Sequence, residues 1–415
     1  MNKNDIKISV TTSDRGNNYA KFTTNTDFWS PEYVGTRFLL SDKQWVIDEF
    51  INSTQVIAYI NGTYSVPSNP VSDWYEAAFS NVRGWPCSIT FHQDRLVFGG
   101  ARSYPAGVWM SCVGQHKNFN VGTGLDDEAI FITLLSQQRQ QICTVVSGDN
   151  LQILTSDGEW AISSKPLTPS MVDIKQHTSV GCCATRYLPP QKIEGATVFV
   201  SKTMRDIREL SLDDLGQNYN ATDLCAFAKH LMTGPIDMAY NDATKQLFVV
   251  QSDGNIAVLN QNSALGISAW AEYKTYGQFM SVAVVDGTTY VVTKRDTAYN
   301  IECFSDSAMT DADLYDFAFC AESLPFRVSH HNVSQLRIRK LSVRLLNTKS
   351  VFVNGVRAPL PNDIYSDNHP GFSGDISVNL LGQMKTCLAP YWTIHGNEPQ
   401  PITILSVSVS GGYSI

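Results

Sequence analysis

Residues 148–160 read GDNLQILTSDGEW, and residues 244–256 read TKQLFVVQSDGNI. Both place Leu-x-(Ile/Val)-(Leu/Val)-x-Ser-Asp-Gly in one register, from Leu151 to Gly158 and from Leu247 to Gly254. An apolar strand running into Asp-Gly signals a tight hairpin, because glycine takes the positive φ that such turns demand. A hairpin that recurs within one chain points to a repeat, which decides architecture before any single motif does.

Five segments share this design of apolar strand, polar turn and second apolar strand. They are SITFHQDRLVFGG from Ser88, ICTVVSGDNLQILTSDGEWAIS from Ile142, ATVFVSKTMRDIREL from Ala196, IDMAYNDATKQLFVVQSDGNIAVL from Ile236 and MSVAVVDGTTYVVTKRDTAYNIECF from Met280. Their starts fall roughly 40 to 55 residues apart, the spacing of β-propeller blades. Five blades are legible, and Gly107 to Leu135 is the place for a sixth. Before them, Arg37–Leu40, Gln44–Phe50 and Gln55–Ile60 read as strands of a small β-barrel or sandwich, with Val66 to Trp74 as a proline-containing linker. After them comes an acidic, aromatic connector, DSAMTDADLYDFAFCAESLPF, and then LRIRKLSVRLL, SVFVNGV, GDISVNLL and ITILSVSVSGG, which alternate as β-sandwich strands do. The fold class is all-β: a barrel over 1–75, a propeller of five or six blades over 76–305, and a connector with a C-terminal sandwich over 306–415. Only Ala221 to Leu231 carries a helical period, with Leu224, Phe227, Ala228 and Leu231 on one face.

Composition narrows the function. Charged residues make up 17% of the 415 and hydrophobic ones 43%, a balance suited to a chain that buries surface against neighbours. A formal charge of -8 argues against a static nucleic-acid binder, and the longest basic segment is the short RIRK of Arg337 to Lys340. Nine cysteines without CxxC spacing indicate reduced, partly buried thiols, with neither a disulfide framework nor a zinc site. The polar MNKNDIKISVTTSDRGNN lacks the apolar core of a secretory signal, and no 18-residue apolar window exists to span a membrane. Folding in a reducing cytoplasm is expected.

The stretch from Gly84 to Gly100, GWPCSITFHQDRLVFGG, sets His92, Asp94 and Arg95 between apolar runs. An acid–base pair there needs a nucleophile or groove that one hairpin does not supply. The reading adopted is a solvated turn, with Arg95 bridging to a neighbouring carboxylate.

An ordered series follows that hairpin. Phe91, Arg95, Leu96, Phe98, Gly99 and Gly100 lead to Trp109 and Ser111, then to Asn118-Phe119, the acidic Asp126-Asp127-Glu128, Glu159-Trp160 and Arg208-Glu209. This series, together with the SVSGGYSI ending, resembles the tail nozzle proteins (tail tubular protein B) of short-tailed bacteriophages, over about Phe22 to the end. The resemblance implies a structural virion protein, not an enzyme, without cofactor or metal. It implies a homo-hexameric ring below the portal and its adaptor, bound to a head–tail connector and to a tail fibre or spike. The ring encloses and gates the DNA ejection channel and contacts duplex DNA only in passing. It is assembled in the host cytoplasm and resides in the phage tail. The region before Phe22 is shorter than in the family, so a reduced platform or strands from another chain are expected, along with a short spout.

Other constellations have plainer readings. Asp126-Asp127-Glu128 lacks the alternating spacing of a calcium loop and reads as a loop cap or intersubunit salt bridge. Ser156-Asp157-Gly158 and Ser252-Asp253-Gly254 read as turns, not as Asp-boxes. His330-His331 reads as a surface loop, and the acceptor sequences at Asn52 and Asn61 read as silent. The competing function is a propeller that binds or degrades host glycans through paired carboxylates in an axial pocket.

Overall fold

Alternating burial along short strands builds the first sheet. In the computed structural model the residues described are 6–136, 138–184, 188–213, 216, 218–262, 266–304, 319–324, 335–361, 371–380, 384–386, 390–396 and 402–414. Strands β1 (Ile8–Thr12), β2 (Tyr19–Thr24), β3 (Arg37–Leu40), β4 (Lys43–Asn52), β5 (Gln55–Ile60) and β6 (Trp74–Glu76) form an antiparallel sheet in the order β1-β2-β5-β4-β3-β6. The inward set, including Phe22, Phe38, Trp45 and Trp74, shares one core with Trp29 and Tyr33. The two edges meet, because Ile8 on β1 exchanges backbone hydrogen bonds with Val71 and the Trp74 indole donates to the Ile6 carbonyl at 2.9 Å. The sheet thus closes as a small barrel, and the end of the supposed linker is one of its walls.

Four-stranded meanders follow. Blade one holds β7 (Ser88–His92), β8 (Arg95–Ala101), β9 (Tyr104–Met110) and β10 (Ile130–Thr133). Blade two holds β11 (Ile142–Ser147), β12 (Leu151–Thr155), β13 (Gly158–Ile162) and β14 (Ile174–Thr178). Blade three holds β15 (Gln191–Ile193), β16 (Ala196–Val200), β17 (Ile207–Leu212) and β18 (Tyr219–Asp223). Blade four holds β19 (Pro235–Asn241), β20 (Gln246–Gln251), β21 (Ile256–Asn262) and β22 (Ile267–Tyr273). Blade five shows three strands among the described residues: β23 (Gln278–Val285), β24 (Thr288–Arg295) and β25 (Ala298–Cys303).

The first strand of each blade is tied to that of the next. Ser88 Oγ lies 3.1 Å from Thr144 Oγ1, Lys192 Nζ donates to the Ser147 carbonyl, Gln191 donates to the Met238 carbonyl at 3.4 Å, and Ser281 bonds Asp237. This radial repetition is a β-propeller. Both ends of the arc of blades expose apolar side chains, Ile89 and Phe91 on blade one and Tyr299 and Ile301 on blade five.

Three sequence expectations change. Gly107 to Leu135 is not a sixth blade but supplies part of β9 and all of β10 of blade one. The helix over Ala221 to Leu231 is replaced by the end of β18, whose Ala221 pairs with Leu210, followed by a single 3-10 turn at Lys229–Leu231. The open edge of β17 claims those backbone groups, and Phe227 is left fully exposed while Cys225 is buried. The two Ser-Asp-Gly turns also differ. Gly254 has φ +91°, as anticipated, but Gly158 does not adopt a positive φ; a Cβ there would lie 2.6 Å from the Thr178 carbonyl oxygen, so close strand approach requires it.

A second compact unit, residues 303–415, is a two-layer sandwich. One sheet joins β26 (Phe319–Glu322), β32 (Thr393–Gly396), β28 (Phe352–Val353) and β29 (Val356–Arg357). In the other, the long β27 (Gln335–Thr348) lies between β33 (Thr403–Ser414) on one side and β30 (Phe372–Asn379) with β31 (Met384–Thr386) on the other. Val353 and Ile394 pack against Leu341, Val343, Ile376 and Val378 between the layers. Residues 305–318 of the connector and His330-His331 lie outside the described residues.

Candidate functional site

Strand alternation gives blade one two unlike faces. Val97, Val108, Met110 and Ile130 point to blade two and share its core with Ile142 and Val145. Gly99 allows this approach, since a Cβ there would sit 2.7 Å from Val145 Cγ1. The opposite face carries one cross-strand row, Ile89, Phe98, Trp109 and Phe131, in direct register.

Phe98, Trp109 and Phe131 of that row line a groove between blade one and the barrel, about 1060 Å³ in volume. Phe79 meets Trp109 edge-on at 4.7 Å, and Phe119 stacks on Phe98 at 5.1 Å. Val34, Leu39 and Tyr75 contribute the barrel wall, and Trp85 lies along the rim 63% exposed. The groove is open, aromatic and predominantly apolar.

Arg95 shapes it from behind. Its guanidinium is wholly buried; Nη1 donates to the carbonyls of Ser111 (2.8 Å) and Glu128 (2.6 Å), and Nη2 to those of Asp126 (2.7 Å) and Leu167 (3.3 Å). It therefore bridges main-chain carbonyls, not a neighbouring carboxylate as the sequence suggested. Burial pulls its pKa below the usual arginine range, opposed by Cys112 and Asp127, yet a guanidinium stays a cation at any ordinary pH. Around it Ser111 Oγ accepts from Leu96 N at 2.9 Å, and Cys112 N donates to the Asn118 carbonyl at 2.8 Å. Val113 N donates to the Asp127 carbonyl at 2.9 Å. The Glu128 carboxylate accepts from the backbone N–H groups of Thr123, Gly124 and Leu125 at 2.8, 2.5 and 2.8 Å, which makes it the expected loop cap. These bonds carry Phe119 to its place on Phe98.

The hairpin between His92 and Arg95 does turn the chain. Gln93 and Asp94 both have positive φ, 45° and 56°, as a two-residue turn between paired His92 and Arg95 requires. His92 is buried, with Nδ1 2.9 Å from Ser147 Oγ, and burial followed by Lys165 and Lys192 lowers its pKa. Asp94 instead stands 3.4 Å from His116, whose ring meets Phe91 edge-on at 5.0 Å. Of the other singled-out residues, Glu159 and Glu209 reach toward the next blade, whereas Trp160 and Arg208 bond within or beside their own. Glu159 accepts from Gly181 N at 2.8 Å, Trp160 Nε1 donates to Gln140 Oε1 at 3.2 Å, Arg208 pairs with Asp206 at 2.6 Å, and Glu209 accepts from Gln261 at 3.0 Å. Gly100, with φ +60°, lies against Cys87 and Ile142.

Thus Phe98, Trp109 and Phe119 converge on the groove, Arg95, Ser111 and Glu128 hold the loops behind it, and Glu159, Trp160, Arg208 and Glu209 lie on blades two and three and do not line it. Sequence reasoning missed Phe79, Tyr75, Trp85 and Phe131. The legible signal was the unbroken apolar character of LVFGG and VWM, which means both faces of a strand are covered. Among the described residues no group of three or more His, Cys, Asp or Glu side chains could hold a metal ion, and no helix is long and apolar enough to cross a membrane.

No protein-family model matches this chain, and no curated protein does. Several solved structures are similar in outline. BamB from Moraxella catarrhalis is 13% identical, with 73% of this chain and 85% of that one covered and a TM-score of 0.34. Sqt1 from Chaetomium thermophilum is 16% identical, with 72% and 71% covered and a TM-score of 0.36. The β-propeller domain of Cps50 (Swd1) from Myceliophteria thermophila is 8% identical, with 66% and 84% covered and a TM-score of 0.34. No function is carried across at such identities.

Proposed function

We propose that this chain is a non-enzymatic structural subunit of a short-tailed phage tail, the nozzle, which assembles as a six-copy ring below the adaptor. In the virion the ring lines the DNA ejection channel, carries a fibre or spike and touches duplex DNA in passing. One observation carries the proposal. The groove exposes Tyr75, Trp85, Leu39 and Phe131 contiguously, and a patch of that kind on a soluble chain marks a surface that another protein covers. Its occupant in this reading is an apolar segment of the neighbouring subunit or of the adaptor.

A second reading follows from the rim. The exposed Trp85 and Tyr75 line the groove together with Arg37, Asn81 and Asn120, a combination suited to gripping a glycan. Native mass measurement of the purified chain, alone and with an adaptor ring, separates the two. A particle near six chains is expected, and the W85A/F131A double variant should lose at least tenfold in assembly affinity while its melting temperature stays within a few degrees. A chain that stays monomeric with and without adaptor overturns the ring. If the double variant assembles normally but no longer binds host polysaccharide, the glycan reading replaces it.

A further inference from the structure

The outward face of the β27 sheet in the C-terminal unit is polar and cationic. Direct pairing sets Arg344, Asp375 and Ser406 in one row, Ser342, Ser377 and Ser408 in the next, and Lys340, Asn379 and Ser410 in a third, with Arg337 opposite Gly412 beyond. Between Ile338 and Lys340 the register slips by one residue, a β-bulge. A bulge re-aims a side chain, and here it sends the consecutive Arg339 and Lys340 to the same exposed side while Ile338 and Leu341 stay buried. Arg344 is held by Asp375 through two bonds of 2.7 and 2.9 Å. Arg339 and Lys340 thus stand exposed side by side next to the Arg344–Asp375 pair, within a chain whose formal charge is -8.

We infer that this face binds the phosphodiester backbone of double-stranded DNA, weakly and without regard to sequence. Arginine, lysine, serine and asparagine side chains are the groups that contact phosphate oxygens. The rows contain no aromatic ring on which an unpaired base could stack, which favours a duplex over a single strand. The choice of DNA rests on the proposed conduit reading; the cationic face itself does not.

The test is fluorescence anisotropy of a labelled 30-base-pair DNA duplex with the full chain between 20 and 200 mM salt. Affinity should fall with salt, and the R339Q/K340Q double variant should bind at least tenfold more weakly at the lowest salt, with a log–log salt slope smaller by about 2. K274Q/K245Q, which removes two exposed cations elsewhere, should leave the slope near that of the parent. Equal binding by R339Q/K340Q with an intact melting curve overturns the inference, as does stronger binding to single-stranded DNA, to dextran sulfate or to anionic phospholipid vesicles than to the duplex. Particle mass is read separately, so failure here leaves the ring standing, and a monomer that binds duplex DNA through Arg339 and Lys340 sinks the ring alone.

Discussion

Replacing Arg95 by alanine is expected to cost about 3–5 kcal/mol, the scale on which an interaction network around a buried charge is lost. Four carbonyls, of Ser111, Asp126, Glu128 and Leu167, now converge on one guanidinium. Removing it takes the donor from four carbonyls and leaves a cavity the length of the side chain, so packing and hydrogen bonding fail together. Arg95→Lys should fall between, because a single ammonium is a point donor and cannot reach a fan of carbonyls as a planar fork does. Chemical denaturation of the three proteins checks the order, with midpoints descending from Arg to Lys to Ala. If R95A melts with the parent, the groove loop is not held from Arg95, and the role given to that residue among the singled-out set is wrong.

The same residue shows where sequence reading reached and where it stopped. Hairpin spacing, the strands Arg37–Leu40 and Gln55–Ile60 and the alternation of GDISVNLL are local, and each matches an observed element. Periodicity says which side chains share a face of one sheet, but not what that face meets. So Trp109 and Phe119 were singled out by their order in a resemblance, whereas Phe79 and Tyr75 come from the stretch between linker and first blade and carried no signal of their own. Arg95 looked solvated because it adjoins a turn. Its partners lie 16 to 72 residues away and are backbone atoms, which no pattern of side chains reveals. The false helix has a related cause: from Ala221 onward the local period competed with a hydrogen-bonding edge on β17 that only the tertiary fold supplies.

Blade two offers the second large effect. Glu159 is almost completely buried and its carboxylate accepts from Gly181 N at 2.8 Å, from Val180 N at 3.3 Å and from the Thr178 hydroxyl. It thereby ties β13 to the segment that leads into blade three, where Cys182 N donates to the Thr155 carbonyl. Glu159→Ala should destabilise by about 2–4 kcal/mol, since buried N–H groups lose their acceptor. Glu159→Gln keeps one carbonyl oxygen for Gly181 and a hydroxyl partner in Thr178, so it should lie within about 1 kcal/mol of the parent at neutral pH. The titration carries a definite sign. Burial raises the Glu159 pKa, and the hydrogen bonds and Arg208 lower it without cancelling that rise. A carboxyl whose folded pKa is raised binds its proton more tightly in the native state, so its favourable contribution is complete below the unfolded value and is lost as pH climbs from there through the raised folded value. Stability measured from pH 4 upward should therefore show a Glu159-dependent fall in the parent that the glutamine variant lacks. A parent whose stability rises through that window by more than E159Q does would mean that this carboxylate is stabilised by its bonds more than it is penalised by burial, and the junction between blades two and three would then rest on a charge and not merely on an acceptor.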